Sequence, residues 1–151
     1  MIFSGQVKFE EKFIHLFATN KGINRLLFSE EPIVLPFENS HIAHAREELK
    51  KYFKRELKVF STPLHLEGTL FQKKVWSRLC QIPYGTTNSY RDVAIKVGGS
   101  NYSRAVGMAN NKNPIPILVP CHRVVGISGK LTGYAFGLNI KEKLLDIEKN
   151  E

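Results

Sequence analysis

Along Met1–Ser29, apolar residues come in short runs separated by turn-forming residues. Phe13-Ile14-His15-Leu16-Phe17 and Ile23-Asn24-Arg25-Leu26-Leu27-Phe28 flank Asn20-Lys21-Gly22, a pattern that predicts strands joined by a tight turn. Glu30 to Asn39 holds two prolines and reads as a loop. Beyond it Leu49, Phe53 and Leu57 recur every fourth residue among lysines and glutamates. That spacing predicts an amphipathic helix from a Ser40 cap to about Val59, lying on the sheet. His15, His41 and His44 read as surface or packing residues rather than ligands.

Ser61 to Glu67, with Pro63, reads as a linker. Thr69 and Gln72 then have the spacing of a capping box, and Val75, Trp76 and Leu79 share one face of the helix it opens. Cys80 follows Trp76 by four residues and reads as a small apolar residue near that face. Ile82-Pro83-Tyr84-Gly85 ends this helix. Ser89, with Asp92 three residues on, caps another that runs to Val97. Gly98-Gly99 is a turn, and Ser100 or Asn101 starts a helix through about Asn111. Two short helices across a glycine turn have the pattern of a helix-turn-helix. The second is thin, with Ala105, Gly107 and Ala109, which suits close approach to another surface or tight packing on a neighbouring helix.

The expected fold class is α+β. A small N-terminal sheet-plus-helix domain (1–62) is followed by a mainly helical, winged-helix-like domain with the helix-turn-helix (67–151). With 42% apolar and 24% charged residues the chain has the balance of a self-folding protein. It lacks the run of about 20 apolar residues a membrane helix needs, and its first residues lack the build of a signal peptide. Two cysteines make no disulfide framework, and their spacing resembles no zinc site, so a reducing, cytoplasmic setting without metal is expected. The net charge of +8 is unevenly spread: residues 1–67 carry 10 basic and 9 acidic side chains, residues 68–151 carry 12 and 5. A basic half beside a neutral one suggests a module facing a polyanion.

The chemistry concentrates in Asn113-Pro114-Ile115-Pro116-Ile117-Leu118-Val119-Pro120-Cys121-His122-Arg123-Val124-Val125. Three prolines forbid a helix interior or a central strand, which predicts a rigid, extended, buried path. It delivers Cys121 and His122 side by side. In a strand they would face opposite ways, so cooperation needs a turn at Cys121 or a bridging water. A thiolate is a nucleophile, and a neighbouring imidazole can take its proton if a third group orients the ring. Glu148, four after Leu144 and three after Leu145, lies on or beside the apolar stripe of the last helix, where a negative charge opposes the macrodipole. It either pairs with a group such as His122 or sits in a frayed, solvated last turn.

Val119-Pro120-Cys121-His122-Arg123-Val124-Val125 resembles the active-site signature of the alkylguanine-DNA alkyltransferases, the methylated-DNA–protein-cysteine methyltransferases. Phe71 to Trp76, Ser89-Tyr90, Ser103-Arg104-Ala105-Val106-Gly107, Asn113-Pro114, Gly133-Tyr134 and the helix ending at Glu148 fall at the family's spacing. The resemblance covers residues 68–151 and implies binding of duplex DNA, rotation of a 6-O-alkylated guanine out of the stack, and irreversible, stoichiometric alkyl transfer to Cys121. His122, through a water, would activate the thiol, and Glu148 would orient the imidazole. Tyr90 would bind the flipped base, help protonate the leaving guanine and crowd the phosphate. Arg104 would fill the vacated stack, and Ala105, Gly107 and Ala109 would admit the helix to the minor groove. Asn113 would be a hinge to the active-site segment. The carbonyls of Cys121 and Val124 would face the exocyclic amine, the Ala135 amide the oxygen-6, and Pro116 and Tyr134 would wall the pocket.

Base chemistry fits these roles. Oxygen-6 of guanine is inaccessible inside a duplex, so the base must come out, and a planar cation can offset part of the unstacking cost. Two departures stand out: Ala135 replaces a serine of many relatives, and Asn110-Asn111-Lys112 is bulkier than the corresponding helix end in some members. Lys73, Lys74, Arg91, Lys96 and Lys112 are mostly solvated charges with some phosphate contacts, and Arg123 buttresses the loop. The partner expected is double-stranded DNA containing 6-O-alkylguanine, met by a monomer, with cooperativity on DNA left open, no cofactor and no membrane. The rivals are a non-catalytic lesion binder, against which Cys121 argues, and a Cys-His-Glu hydrolase or thiol redox sensor.

Overall fold

Residues 1–131 and 133–149 are described by a computed structural model of the protein, so the end of the expected second domain, 150 and 151, lies outside. The chain divides into two compact units, Met1–Glu67 and Gly68–Glu151.

In the first unit, β1 (Phe3–Phe9), β2 (Lys12–Thr19) and β3 (Gly22–Ser29) form an antiparallel sheet in the order β1-β2-β3. Alternation sends Ile14, Leu16 and Ala18 of β2 inward, fully buried, beside Val7 and Phe9 of β1. Helix α1 (Ser40–Phe53) buries Ile42, Ala45, Leu49 and Tyr52. Gly5 allows its close approach, since a Cβ there would run into Ile42 Cγ2. The cap is Asn39, whose side chain accepts from the Ile42 amide, rather than Ser40.

The helix also ends six residues short of Val59. Arg55 adopts a left-handed φ of 63°, its amide donates to Tyr52 O (3.0 Å), and the Glu56 amide reaches back to Lys51 O (2.8 Å). This is a Schellman ending with arginine where glycine is usual, which hid it from composition. The expected linker is likewise anchored in this unit. Buried Glu48 accepts from both the amides and the hydroxyls of Ser61 and Thr62, and Leu64 bridges Ile23 at the sheet edge.

The second unit is mainly helical. Helix α2 (Leu70–Leu79) starts in the Thr69–Gln72 capping box and buries Val75, Trp76 and Leu79. Cys80 is its solvent-exposed C-cap, not a packed residue, because the apolar stripe stops at Leu79. Helix α3 (Tyr90–Val97) opens with a Ser89–Asp92 capping box. After a single 3-10 turn at Ser100–Tyr102, α4 (Ser103–Asn111) completes the helix-turn-helix. Strand β4 (Asn88–Ser89) pairs in parallel with β5 (Val124–Val125), and α5 (Leu138–Ile147) closes the unit.

Candidate active site

The proline-rich segment is buried and outside any regular ladder, but it is not extended throughout. The Val119 amide donates to Ile115 O (2.9 Å), and Ile117 takes a φ of 74°, so the chain folds back at Pro116-Ile117. Asn113 holds this turn from inside, donating to Val119 O (2.8 Å) and accepting from the Ile115 amide (2.9 Å). A β-branched residue in the left-handed region is strained, and a fully hydrogen-bonded neighbour is what sustains it.

A 3-10 turn at Cys121–Arg123 follows, with the Arg123 amide donating to Pro120 O (3.0 Å). It lets Cys121 and His122 both point inward, and both are almost completely buried. The Cys121 thiol donates to the Tyr134 hydroxyl, Sγ···Oη 3.6 Å. Burial pushes its pKa up, against hydrogen bonding with Asn113 and Tyr134 and the charge of Lys141, so the resting group is a neutral thiol.

His122 Nε2–H donates to Glu148 Oε2 at 2.6 Å. That bond fixes the tautomer and leaves Nδ1 as a buried acceptor with no protein partner among the described residues. Burial lowers the imidazole's pKa, more than Glu148 raises it, so the ring is held neutral. Arg123 grips the same carboxylate through Nε (2.8 Å) and Nη2 (3.0 Å) and donates from Nη1 to Ile82 O (2.7 Å). The positive guanidinium resolves the conflict of a carboxylate at the C-cap of α5.

Lys141 is a residue the sequence reading missed. It is fully buried, donates to Val124 O at 2.6 Å, and lies 5.7 Å from the Tyr134 ring centroid. Burial depresses its pKa, and the Cys121 thiolate would raise it. The signal was available: Lys141 precedes Glu148 by seven residues, two turns up the same face of α5.

The remaining candidates spread along the same unit. Tyr90, the first residue of α3, is half-buried, and a Cβ on Gly107 of α4 would meet its ring at 3.8 Å. The β4–β5 pairing sets Val124 beside Asn88 and so ties the segment leaving Cys121 to the start of α3. Arg104 is exposed, and with Met108 and Asn111 it forms the outer face of α4. Ala105, Gly107 and Ala109 do not make one face. Ala109 is buried, and its carbonyl accepts from Trp76 Nε1 (2.9 Å), while Gly107 turns to Tyr90. Alternate residues of a helix lie about 200° apart, so the three small residues expected to admit α4 to the minor groove do not act as one surface. Ala109 is therefore a packing residue. Pro116 is buried in its turn, Tyr134 is buried, and Ala135 is exposed in the next turn. Lys73, Lys74, Arg91, Lys96 and Lys112 are all exposed.

A buried thiol, a tautomer-fixed imidazole and its carboxylate, built into a unit that also carries a helix-turn-helix, define a thiol-centred site. Residues 70–150 match the family described as 6-O-methylguanine DNA methyltransferase, DNA binding domain. The methylated-DNA–protein-cysteine methyltransferase of Methanosarcina barkeri is 48% identical over 143 residues, 91% of this chain and 90% of its own. The Mycobacterium leprae protein of the same name is 52% identical over 114 residues, 76% of this chain and 69% of its own. The crystal structure of Mycobacterium tuberculosis O6-methylguanine methyltransferase superposes with a TM-score of 0.88 at 39% identity, covering 99% of this chain and 93% of that one. The same organism's OGT in complex with DNA gives 0.82 at 39% identity, over 95% and 91%. The chain belongs to the methylated-DNA–protein-cysteine methyltransferase family.

Proposed function

We propose that this protein repairs 6-O-alkylguanine in duplex DNA by moving the alkyl group, irreversibly and once per molecule, to Cys121. The observation that carries the reading is the His122–Glu148 bond, which leaves the unprotonated Nδ1 of the imidazole next in sequence to a buried thiol on a helix-turn-helix unit. The thiol proton passes to Nδ1 through a water, and Glu148 and Arg123 hold the imidazolium that forms. Sulfur then attacks the alkyl carbon. The C–S bond forms as the C–O6 bond breaks, and the electron pair leaves with guanine, which takes up a proton with help from Tyr90. A thioether offers no route back to the thiolate.

Exposed Arg104 enters the duplex and stacks in the gap left by the flipped base. Asn113 links α4 to the turn that carries Cys121, and Pro116, Val124, Tyr134 and the Ala135 amide line the base pocket. The partner is duplex DNA containing 6-O-alkylguanine, and the protein acts as a cytoplasmic monomer without metal or cofactor. Among the described residues no helix is long and apolar enough to cross a membrane.

Intact-mass analysis after incubation with an oligonucleotide containing 6-O-methylguanine tests the reading. One methyl is expected on the Cys121 peptide and none on Cys121→Ala. Many products per protein would point instead to a hydrolase, and binding without mass gain to a lesion-recognition protein.

A further inference from the structure

Lys141 stands close to the nucleophile, yet the alkyl-transfer reading gives it no task. It is fully buried in α5, where an ammonium costs far more to desolvate than a methionine of similar length would. A lysine in such a place is a candidate for a use of its charge. Its Nζ donates to the carbonyl of Val124 at 2.6 Å and lies 5.7 Å from the centroid of the Tyr134 ring. The Tyr134 hydroxyl in turn accepts from the Cys121 thiol, Sγ···Oη 3.6 Å. The ammonium is thus pinned between the Val124 carbonyl and a tyrosine that itself bonds the sulfur. A carbonyl oxygen has two lone pairs, so the bond to Lys141 leaves the Val124 oxygen able to face the amine of the base.

The charged and titratable groups facing Cys121 and Lys141 are His122 and Arg123 of the 3-10 turn, Tyr134, and Glu148 at the C-cap of α5. Glu148 and Arg123 bond each other, and both act on His122. Lys141 acts on the sulfur: its charge favours the Cys121 thiolate, and the thiolate in turn favours a protonated Lys141. It also opposes a charge on His122, but there it is the smallest of the influences. We propose that Lys141 is the counter-ion of the Cys121 thiolate. As the thiol proton leaves for His122 Nδ1, the fixed ammonium holds the negative charge on sulfur until the alkyl carbon takes the electron pair. This rests on the alkyl-transfer reading above and makes Lys141 a positioning residue, acting through its field at the sulfur rather than by touching the base. The effect is reciprocal by linkage: whatever the ammonium does for the thiolate, the thiolate does for the ammonium.

The test removes the charge and keeps the shape. Alkylation of Cys121 by iodoacetamide, followed by mass on the Cys121 peptide, reads the thiolate across pH without DNA. Single-turnover methyl transfer from a 6-O-methylguanine duplex is measured alongside. Lys141→Met is expected to move the midpoint of the alkylation profile up by about one pH unit, so that rates are about tenfold lower below both midpoints and converge above them. An unchanged midpoint, whether or not the rate falls, would make Lys141 only a tie between α5 and β5 and would overturn the proposal. The reverse measurement needs no variant of Lys141. In Cys121→Ser, the titration of Lys141, followed by NMR of isotope-labelled lysine side chains, should move to lower pH than in the wild type. A Lys141 titration indifferent to the loss of the thiol would overturn the proposal equally. Both shifts in a wild type that takes no methyl would uphold the charge pairing and overturn the alkyl-transfer reading itself.

Discussion

The Glu148 carboxylate receives His122 Nε2–H at 2.6 Å on the same oxygen that Arg123 Nη2 reaches at 3.0 Å. One buried anion therefore fixes the imidazole and neutralises a buried cation. Glu148→Gln should slow methyl transfer by about a hundredfold or more, because the imidazolium formed in transfer loses its counter-charge. Glu148→Ala, which also strands the Arg123 guanidinium, should lower the free energy of unfolding by about 3–5 kcal/mol in urea. An unchanged rate in Glu148→Gln would remove Glu148 from the mechanism.

Stability should fall on mild acidification. In the folded protein the pKa of His122 lies below its ordinary 6.5. The unfolded chain therefore takes up that proton first as the pH drops. Stability is lost from about pH 6.5 downward until the folded pKa is reached, at up to about 1.4 kcal/mol per pH unit. Thermal melts from pH 8 to 5 measure the slope, and His122→Gln should flatten it in that window.

Arg104 is exposed on α4 and spaced with Met108 and Asn111 on one face. Arg104→Ala should slow transfer from duplex DNA much more than transfer from the free alkylated base, since only the duplex needs its stack refilled. Equal losses with the two substrates would show that Arg104 does not enter the helix.

Gly107 sits inside α4, where a Cβ would meet the Tyr90 ring at an ordinary 3.8 Å. Gly107→Ala should raise stability by about 0.5–1 kcal/mol, the helix cost of glycine. A loss measured by chemical denaturation would mean that Tyr90 has no room to give.

What could be read from the sequence divides along physical lines. Capping boxes at Thr69–Gln72 and Ser89–Asp92 were legible because the bonds they make are local. The Glu148–His122 pairing was legible because helical geometry put a carboxylate beside the apolar stripe, in conflict with the macrodipole. The ending of α1 was not legible, since Arg55 takes a backbone conformation that its residue type does not advertise. The fold-back at Ile117 was hidden in the same way, held by Asn113 rather than by glycine. Glu48 anchors Ser61 and Thr62 through bonds between residues at least 13 apart, so a segment with the composition of a linker belongs to the first unit. Lys141 was passed over because a lysine on a helix is ordinarily solvated. Its spacing from Glu148 puts it on the inward face of α5, and the Val124 carbonyl supplies the partner there.

Glu148 caps the final helix, whereas the groups it serves stand more than twenty residues earlier. Translation runs from the amino end, so the ribosome finishes this carboxylate after every other member of the Cys-His-Glu set. Until that carboxylate has been added and α5 has packed, the imidazole beside Cys121 has no anchor, so its orientation is set by one of the later-made elements of the unit.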